Sequence, residues 1–205
     1  MSSSTEIADK LKGLDAYQCS CVAAACAESV FPVIDHFAEP ETSRTFGQGL
    51  NILWHSLRSK KIDEKLTVIR LSIESLSEAA CDDSNLPSYD VMVILGVLSY
   101  AIDAVQEKDS CHAATSACDM AANYSSGCDM VIERETRSKI TDPTVPRQPG
   151  HLESLQLQLQ LRLIACMQEQ SSESNQIDEM QRLANQFALK LKDAIAVYQE
   201  KRGWA

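Results

Sequence analysis

The chain has 205 residues and a net charge of −10, from 29 acidic against 19 basic side chains; 44% of residues are hydrophobic and 23% charged. These are globular proportions that exclude a disordered chain, and seven glycines and six prolines exclude collagen-like or low-complexity sequence. The longest apolar stretch, Val91 to Ala101, is about half a membrane span, and MSSSTEIADK has no apolar signal core, so a soluble, cytoplasmic protein is expected.

In chain order the periodicity is helical. Ser3-x-x-Glu6 forms a capping box for a short first helix that Gly13 interrupts. Leu14 to Phe37 reads as a longer helix, kinked or ended by Pro32, whose run CSCVAAACA lets a neighbour approach closely. Phe46, Leu50, Leu53, Trp54 and Leu57 share one helical face, and Asp63 to Ala80 repeats the pattern at Leu66, Ile69, Ile73 and Leu76. After the break CDDSNLPS, with Ser88 as expected N-cap, Tyr89 to Val105 is apolar over most of its circumference. A helix apolar all round is buried, so this one is expected at the centre. Ser110 to Glu135 is a further helix of Ala, Cys and Met.

The stretch TRSKITDPTVPRQPG, with three prolines and a glycine in its last eight residues, reads as a loop. Beyond it Leu155, Leu157, Leu159, Leu161 and Leu163 alternate with Gln and Arg like a half-buried strand. Leu and Gln favour helix, however, no β-branched residue appears before Ile164, and there is no second strand to pair with, so helix is preferred. Ile177, Met180, Ala184, Phe187, Leu191, Ala194 and Tyr198 mark the last helix, capped by Ser174 and followed by Gly203. That stripe is read as bundle core, with a dimer seam as the alternative. The expected fold is all-α: residues 1–205 as one domain, a bundle of about seven helices without a sheet, with a Pro-rich loop near 141–150.

Charge is unevenly placed. Residues 63–133 hold 13 acids and 3 bases, whereas the segments on either side nearly balance. Such a surface repels nucleic acid and anionic lipid and attracts a basic protein. Its expected contacts are Glu74, Glu78, Asp82, Asp83 and Asp90.

The chemistry-bearing residues give no catalytic pattern. Eight cysteines lack C-x-x-C spacing and read as small buried hydrophobes, reduced and without a metal. Cys19 and Cys26, and Cys111 and Cys118, lie seven apart, about 10 Å along a helix and too far for either pair to chelate alone. A metal, if present, would promote Cys111, His112 and Cys118. His36, His55, His112 and His151 fall in no metal or nucleophile motif, and Phe46-Gly-Gln-Gly-Leu50 has neither the strand nor the lysine of a phosphate loop, so its glycines read as close-packing positions. No enzyme activity and no cofactor are expected.

Leu11-x-x-Leu14-x-x-Tyr17-Gln18, then Ala24-x-Cys26-x-Glu28, Phe31-Pro32, Phe37 and Ile52-Leu-Trp-His-Ser-Leu57, resemble the YjaG-like family of small bacterial proteins of unknown function. The resemblance implies an all-helical fold and a bacterial cytosolic protein, and carries over no catalytic residue. Small acidic helical bacterial proteins suit an immunity role, binding and neutralising a basic partner such as a secreted toxin. The alternative is a small-ligand-binding or regulatory protein. Neither nucleic acid nor membrane is expected as a partner, and a homodimer is compatible with the sequence.

Overall fold

The computed structural model describes residues 4–106, 109–133, 148–169 and 173–204. Among them are nine α-helical segments, one 3-10 turn and no strand: α1 Ser4–Leu11, α2 Ala16–Ser29, α3 Phe31–Phe37, α4 Pro40–Ser59, α5 Lys65–Ser75, the turn Ser77–Ala80, α6 Pro87–Gln106, α7 Ser110–Ile132, α8 His151–Gln168 and α9 Glu173–Arg202. The all-helical class and the helical reading of the Leu–Gln segment agree with the sequence. Ser3 and most of the Pro-rich loop lie outside the described residues.

The most enclosed element is α2, not α6. Every residue from Cys19 to Ala27 is buried. Seven of those nine are Ala or Cys and one is Ser, so each turn is thin enough for neighbours to close in on all sides. It packs against α6, α7, α9, α4 and α8. Its N-terminal end is fixed by hydrogen bonds. Asp15 Oδ1 accepts from Gln18 N at 2.8 Å while Asp15 N donates to Gln18 Oε1 at 3.0 Å, a reciprocal cap that starts α2 afresh beyond Gly13. Gln18 Nε2 donates 2.8 Å to Met167 O on α8, and the Ser20 hydroxyl donates 2.7 Å to Ala104 O on α6.

Pro32 acts as its lack of an N–H requires. The helix breaks at Val30, and Pro32 sits in the first turn of α3, where no donor is needed. The rod Ala16–Phe37 therefore bends rather than ends. This rod and α6 are each long and apolar enough to cross a membrane by length and composition, but most of each is buried inside the protein, as in core helices.

α6 is nonetheless a core helix, with Val91, Ile94, Leu95, Val97, Leu98, Ala101 and Ile102 buried. It begins at Pro87, so Ser88 lies inside the first turn instead of capping it, its hydroxyl 3.2 Å from Cys81 Sγ. Gly49 confirms one close-packing glycine: a Cβ there would meet Leu98 Cδ2 at 3.0 Å and Ile69 Cγ2 at 3.1 Å. Gly47 does not, because a Cβ there would meet nothing within 4 Å.

The expected helix Asp63 to Ala80 is two pieces. α5 stops at Ser75, Leu76 turns extended (φ −68°, ψ 142°), and a 3-10 turn follows. The break lets Glu78 swing onto the start of α4. In α9 the apolar stripe is bundle core, with Ile177, Met180, Ala184, Phe187, Leu191 and Tyr198 buried in this chain. Ser174 lies within the helix, which starts at Glu173, and Gly203 ends it at φ +70°.

Two substitutions test this packing by urea denaturation. Leu98→Ala removes a fully buried side chain and should cost about 2–5 kcal/mol. Ala24→Leu adds bulk to the enclosed face of α2 and should cost about 1–3 kcal/mol. A change under about 0.5 kcal/mol in Ala24→Leu, the range of surface substitutions, would contradict the central position of α2.

Candidate functional site

The structure spends much of the acidic excess of residues 63–133 on holding helices. Helix N-termini present unpaired N–H donors and a positive dipole end, which carboxylates satisfy. Asp109 Oδ1 accepts from His112 N at 3.0 Å at the start of α7. Asp129, buried, accepts from Leu152 N at 3.0 Å and Glu153 N at 2.8 Å, so α7 caps α8 across 23 residues of sequence or more. Asp63 Oδ1 accepts from Lys65 N at 2.9 Å at the start of α5.

The five expected contact residues divide accordingly. Glu78 is buried: Oε1 accepts from Glu39 N at 3.0 Å, and Oε2 from the Thr42 and Ser77 hydroxyls, each at 2.9 Å. It is a remote N-cap for α4 and is not available to a partner. Burial pushes its carboxyl up, but these donors outweigh burial and hold it below its ordinary value. Asp90 is also buried, in the first turn of α6, where Tyr124 Oη donates to Oδ2 at 3.4 Å. Burial pushes its pKa up to about 6, against the opposing pull of Tyr198, Arg202 and Tyr124. Glu74 is exposed but shares Arg70 with Asp103, at 2.8 Å and 3.1 Å.

Asp82 and Asp83 are exposed in the loop before α6, where Asp83 Oδ1 accepts from Asn85 N at 2.9 Å. The C-terminal tail clamps that loop. Arg202 Nη2 donates to Ser84 O, Trp204 Nε1 donates to Asn85 O at 2.9 Å, and the Arg202 guanidinium stacks on Trp204. The expected acidic face thus shrinks to Asp82 and Asp83, with Glu74 on α5.

All eight cysteines are free, six of them buried and Cys81 and Cys111 partly so. Cys26 and Cys118 touch between α2 and α7, Sγ to Sγ 3.5 Å. Burial pushes the Cys19, Cys21 and Cys128 thiols up to about 12, which keeps them protonated and unreactive. Among the described residues no three His, Cys, Asp or Glu side chains come together as a metal would require. His36 donates from Nε2 to Gln199 Oε1 at 2.6 Å, a surface tie between α3 and α9.

A different feature emerges where α2–α3 bends away from α4 and α9. An open cleft of about 570 Å³ is lined by Glu28, Phe31, Pro32, Asp35, Gly47, Leu50, Asn51, Trp54, Gln181, Asn185, Ala188, Leu189 and Lys192. The missing side chain of Gly47 leaves room in it. Two polar atoms in its wall, Trp54 Nε1 and Glu28 Oε2, meet no partner at full hydrogen-bond geometry. Trp54 is only 6% exposed. Glu28 Oε1 accepts from Asn185 Nδ2 at 3.0 Å. Burial pushes the Glu28 carboxyl up, and the nearby Trp54, Asn185 and Gln181 donors pull it partly back. The neighbouring guanidinium of Arg58 is engaged elsewhere, donating to Asp178 Oδ1 at 2.7 Å and Gln181 Oε1 at 2.6 Å.

Sequence reasoning did not single out this cleft. A signal existed in part: Glu28 is the first charge after Asp15, in the last turn of an otherwise uncharged, small-residue helix. Asn185 and Gln181, 150 residues or more away in sequence, gave none.

No family model matches the chain, and neither a curated protein nor a solved structure is significantly similar to it.

Asp90 and Glu78 yield opposite pH signatures. The Asp90 carboxyl holds its proton more tightly folded than unfolded, so its contribution favours the fold at low pH and is lost as pH rises from about 4 to about 6. Asp90→Asn should therefore gain stability over wild type by on the order of 1–3 kcal/mol at pH 7, with the gain vanishing near pH 4. Glu78 is the reverse: its contribution is present at neutral pH and lost on acidification. Glu78→Ala should cost about 1–2 kcal/mol at pH 7. Denaturation series across pH check both.

Proposed function

We propose that this protein acts by binding rather than catalysis, and that its ligand is a small organic molecule seated in the cleft between α2–α3, α4 and α9. The observation that carries this reading is the pair of buried polar atoms, Trp54 Nε1 and Glu28 Oε2, that meet no partner at full hydrogen-bond geometry in the wall of a cleft lined by both apolar and polar side chains. Native interiors rarely leave such groups unsatisfied, and those that do mark a place for a water, an ion or a ligand. Apolar walls with a few convergent polar groups are the usual make-up of a small-molecule site. A cytoplasmic location goes with the reading, because eight free thiols suit a reducing compartment. Membership of the YjaG-like family is likewise proposed, supported by the all-helical architecture.

A second reading retains the basic protein partner, an immunity-type interaction that neutralises a toxin. It is favoured by the clamped loop, which presents Asp82 and Asp83 in a fixed position. Under it, Glu74, Asp82 and Asp83 are the contacts, and exchanging all three for Lys should slow association with that partner while leaving stability within about 0.5 kcal/mol.

The cleft reading is tested by filling the cleft. Gly47→Leu places a side chain where Cβ has open space and removes a helix-interior glycine, so it should be as stable as wild type or gain up to about 1 kcal/mol. A fragment library screened by NMR should give ligands that shift the Trp54 indole N–H signal in wild type and not in Gly47→Leu. No ligand in wild type, or ligands unaffected by the filling, would overturn the reading.

A further inference from the structure

The cleft's charge is unbalanced in one direction. Glu28 and Asp35 line it, against Lys192 alone. Glu28 and Asp35 are seven residues apart across the break at Val30, and Lys192 is seven residues beyond Asn185 on α9. Lys192 lines the same cleft but forms no ion pair with Glu28. No described cation lies within ion-pair distance of Glu28. Its donors are all neutral: the Asn185 amide at 3.0 Å, with the Trp54 indole and the Gln181 amide nearby. Arg58, the guanidinium that acts on it, is spent on Asp178 and Gln181.

A carboxylate withdrawn from water without a cation is costly, and the usual remedy is a paired positive charge. On these grounds, and resting on the cleft reading above, we propose that the ligand is a small organic cation, an ammonium compound whose positive group is held by Glu28 and whose apolar body lies against Phe31, Leu50 and Leu189. The aromatic walls fit the same ligand, since ring faces attract an ammonium. An anion would meet two carboxylates. A neutral ligand would leave the Glu28 charge unmatched. A divalent metal is poorly served, because hard cations need several oxygen ligands and no group of three candidate ligands comes together among the described residues.

The test compares isosteres. Phenethylamine and 2-phenylethanol differ in the charged group alone, and binding of each is followed by the Trp54 indole N–H signal in NMR titrations, with Trp204→Phe used to assign it. Phenethylamine should bind the wild type about tenfold more tightly than the alcohol or better. Glu28→Gln keeps the shape, removes a buried charge and should fold; in it the preference should disappear. Phenylalanine, run alongside, identifies the source of the ammonium: tighter binding than phenethylamine points to amino acids, with Lys192 taking the carboxylate, and weaker binding points to simple amines. Equal affinity for amine and alcohol in wild type, or a preference that survives in Glu28→Gln, overturns the proposal. If neither compound binds while other fragments still fill the cleft, the cationic assignment fails and the cleft reading stands; if nothing binds the cleft, the reading beneath it fails.

Discussion

The constraint on which the rest of the structure depends is the thinness of α2. A helix enclosed on every side must present small residues, because each large side chain would push a neighbour outward. Cys19 to Ala27 meets that requirement with Ala, Cys and Ser at every position but Val22, the largest side chain in the run, and with Cys21 and Cys26 filling small gaps as apolar thiols. The bulk needed to fill the interior then comes from around it: Leu98 and Ile102 on α6, Leu163 and Ile164 on α8, Phe187 and Leu191 on α9, all buried. Cysteines at seven-residue spacing on α2 and α7 fall into register on facing helices, which is why Cys26 and Cys118 touch. The abundance of cysteine is thus explained by packing.

Carboxylates do a second job in organising the bundle. Asp15, Glu78, Asp109 and Asp129 each satisfy N–H groups at a helix start. Two of these, Glu78 and Asp129, act from a different element and so fix how α4 and α8 sit against the 3-10 turn and α7. A net charge of −10 therefore overstates how acidic the surface is. The same bookkeeping isolates Glu28 as an exception: it is a partly buried acid that neither starts a helix nor pairs with a cation, and it stands at the bend of the Ala16–Phe37 rod where a cleft opens.

Much of the fold was legible in sequence because helical stripes report burial directly. Phe46 to Leu57 and Ile177 to Tyr198 are core faces as read, and the Leu–Gln segment is helical because propensity outweighed its alternation. What was not legible depends on contacts between distant residues. Nothing local in Ser-Glu-Ala-Ala shows that Glu78 will leave the helical path to cap Glu39 and Thr42, so the break at Leu76 went unseen. Asp90, read as surface because it is charged, is buried because Tyr124 and Tyr198 converge on it from two other helices. α2 was underrated since alanine carries little weight in a hydrophobic pattern, although small size is what allows complete enclosure. The cleft joins Glu28 and Trp54 to Asn185 and Gln181, and only the packed α9 brings them together.

The central claim is that α2 is the axis around which the other helices close. Native-state hydrogen exchange of its amides tests this most directly. If α2 is the axis, the amides of Ser20 to Ala27 open only with the whole molecule, share one exchange free energy equal to the global unfolding value, and are at least as protected as those of α6. Exchange of these amides through a smaller opening, with α6 and α7 still protected, would contradict the account.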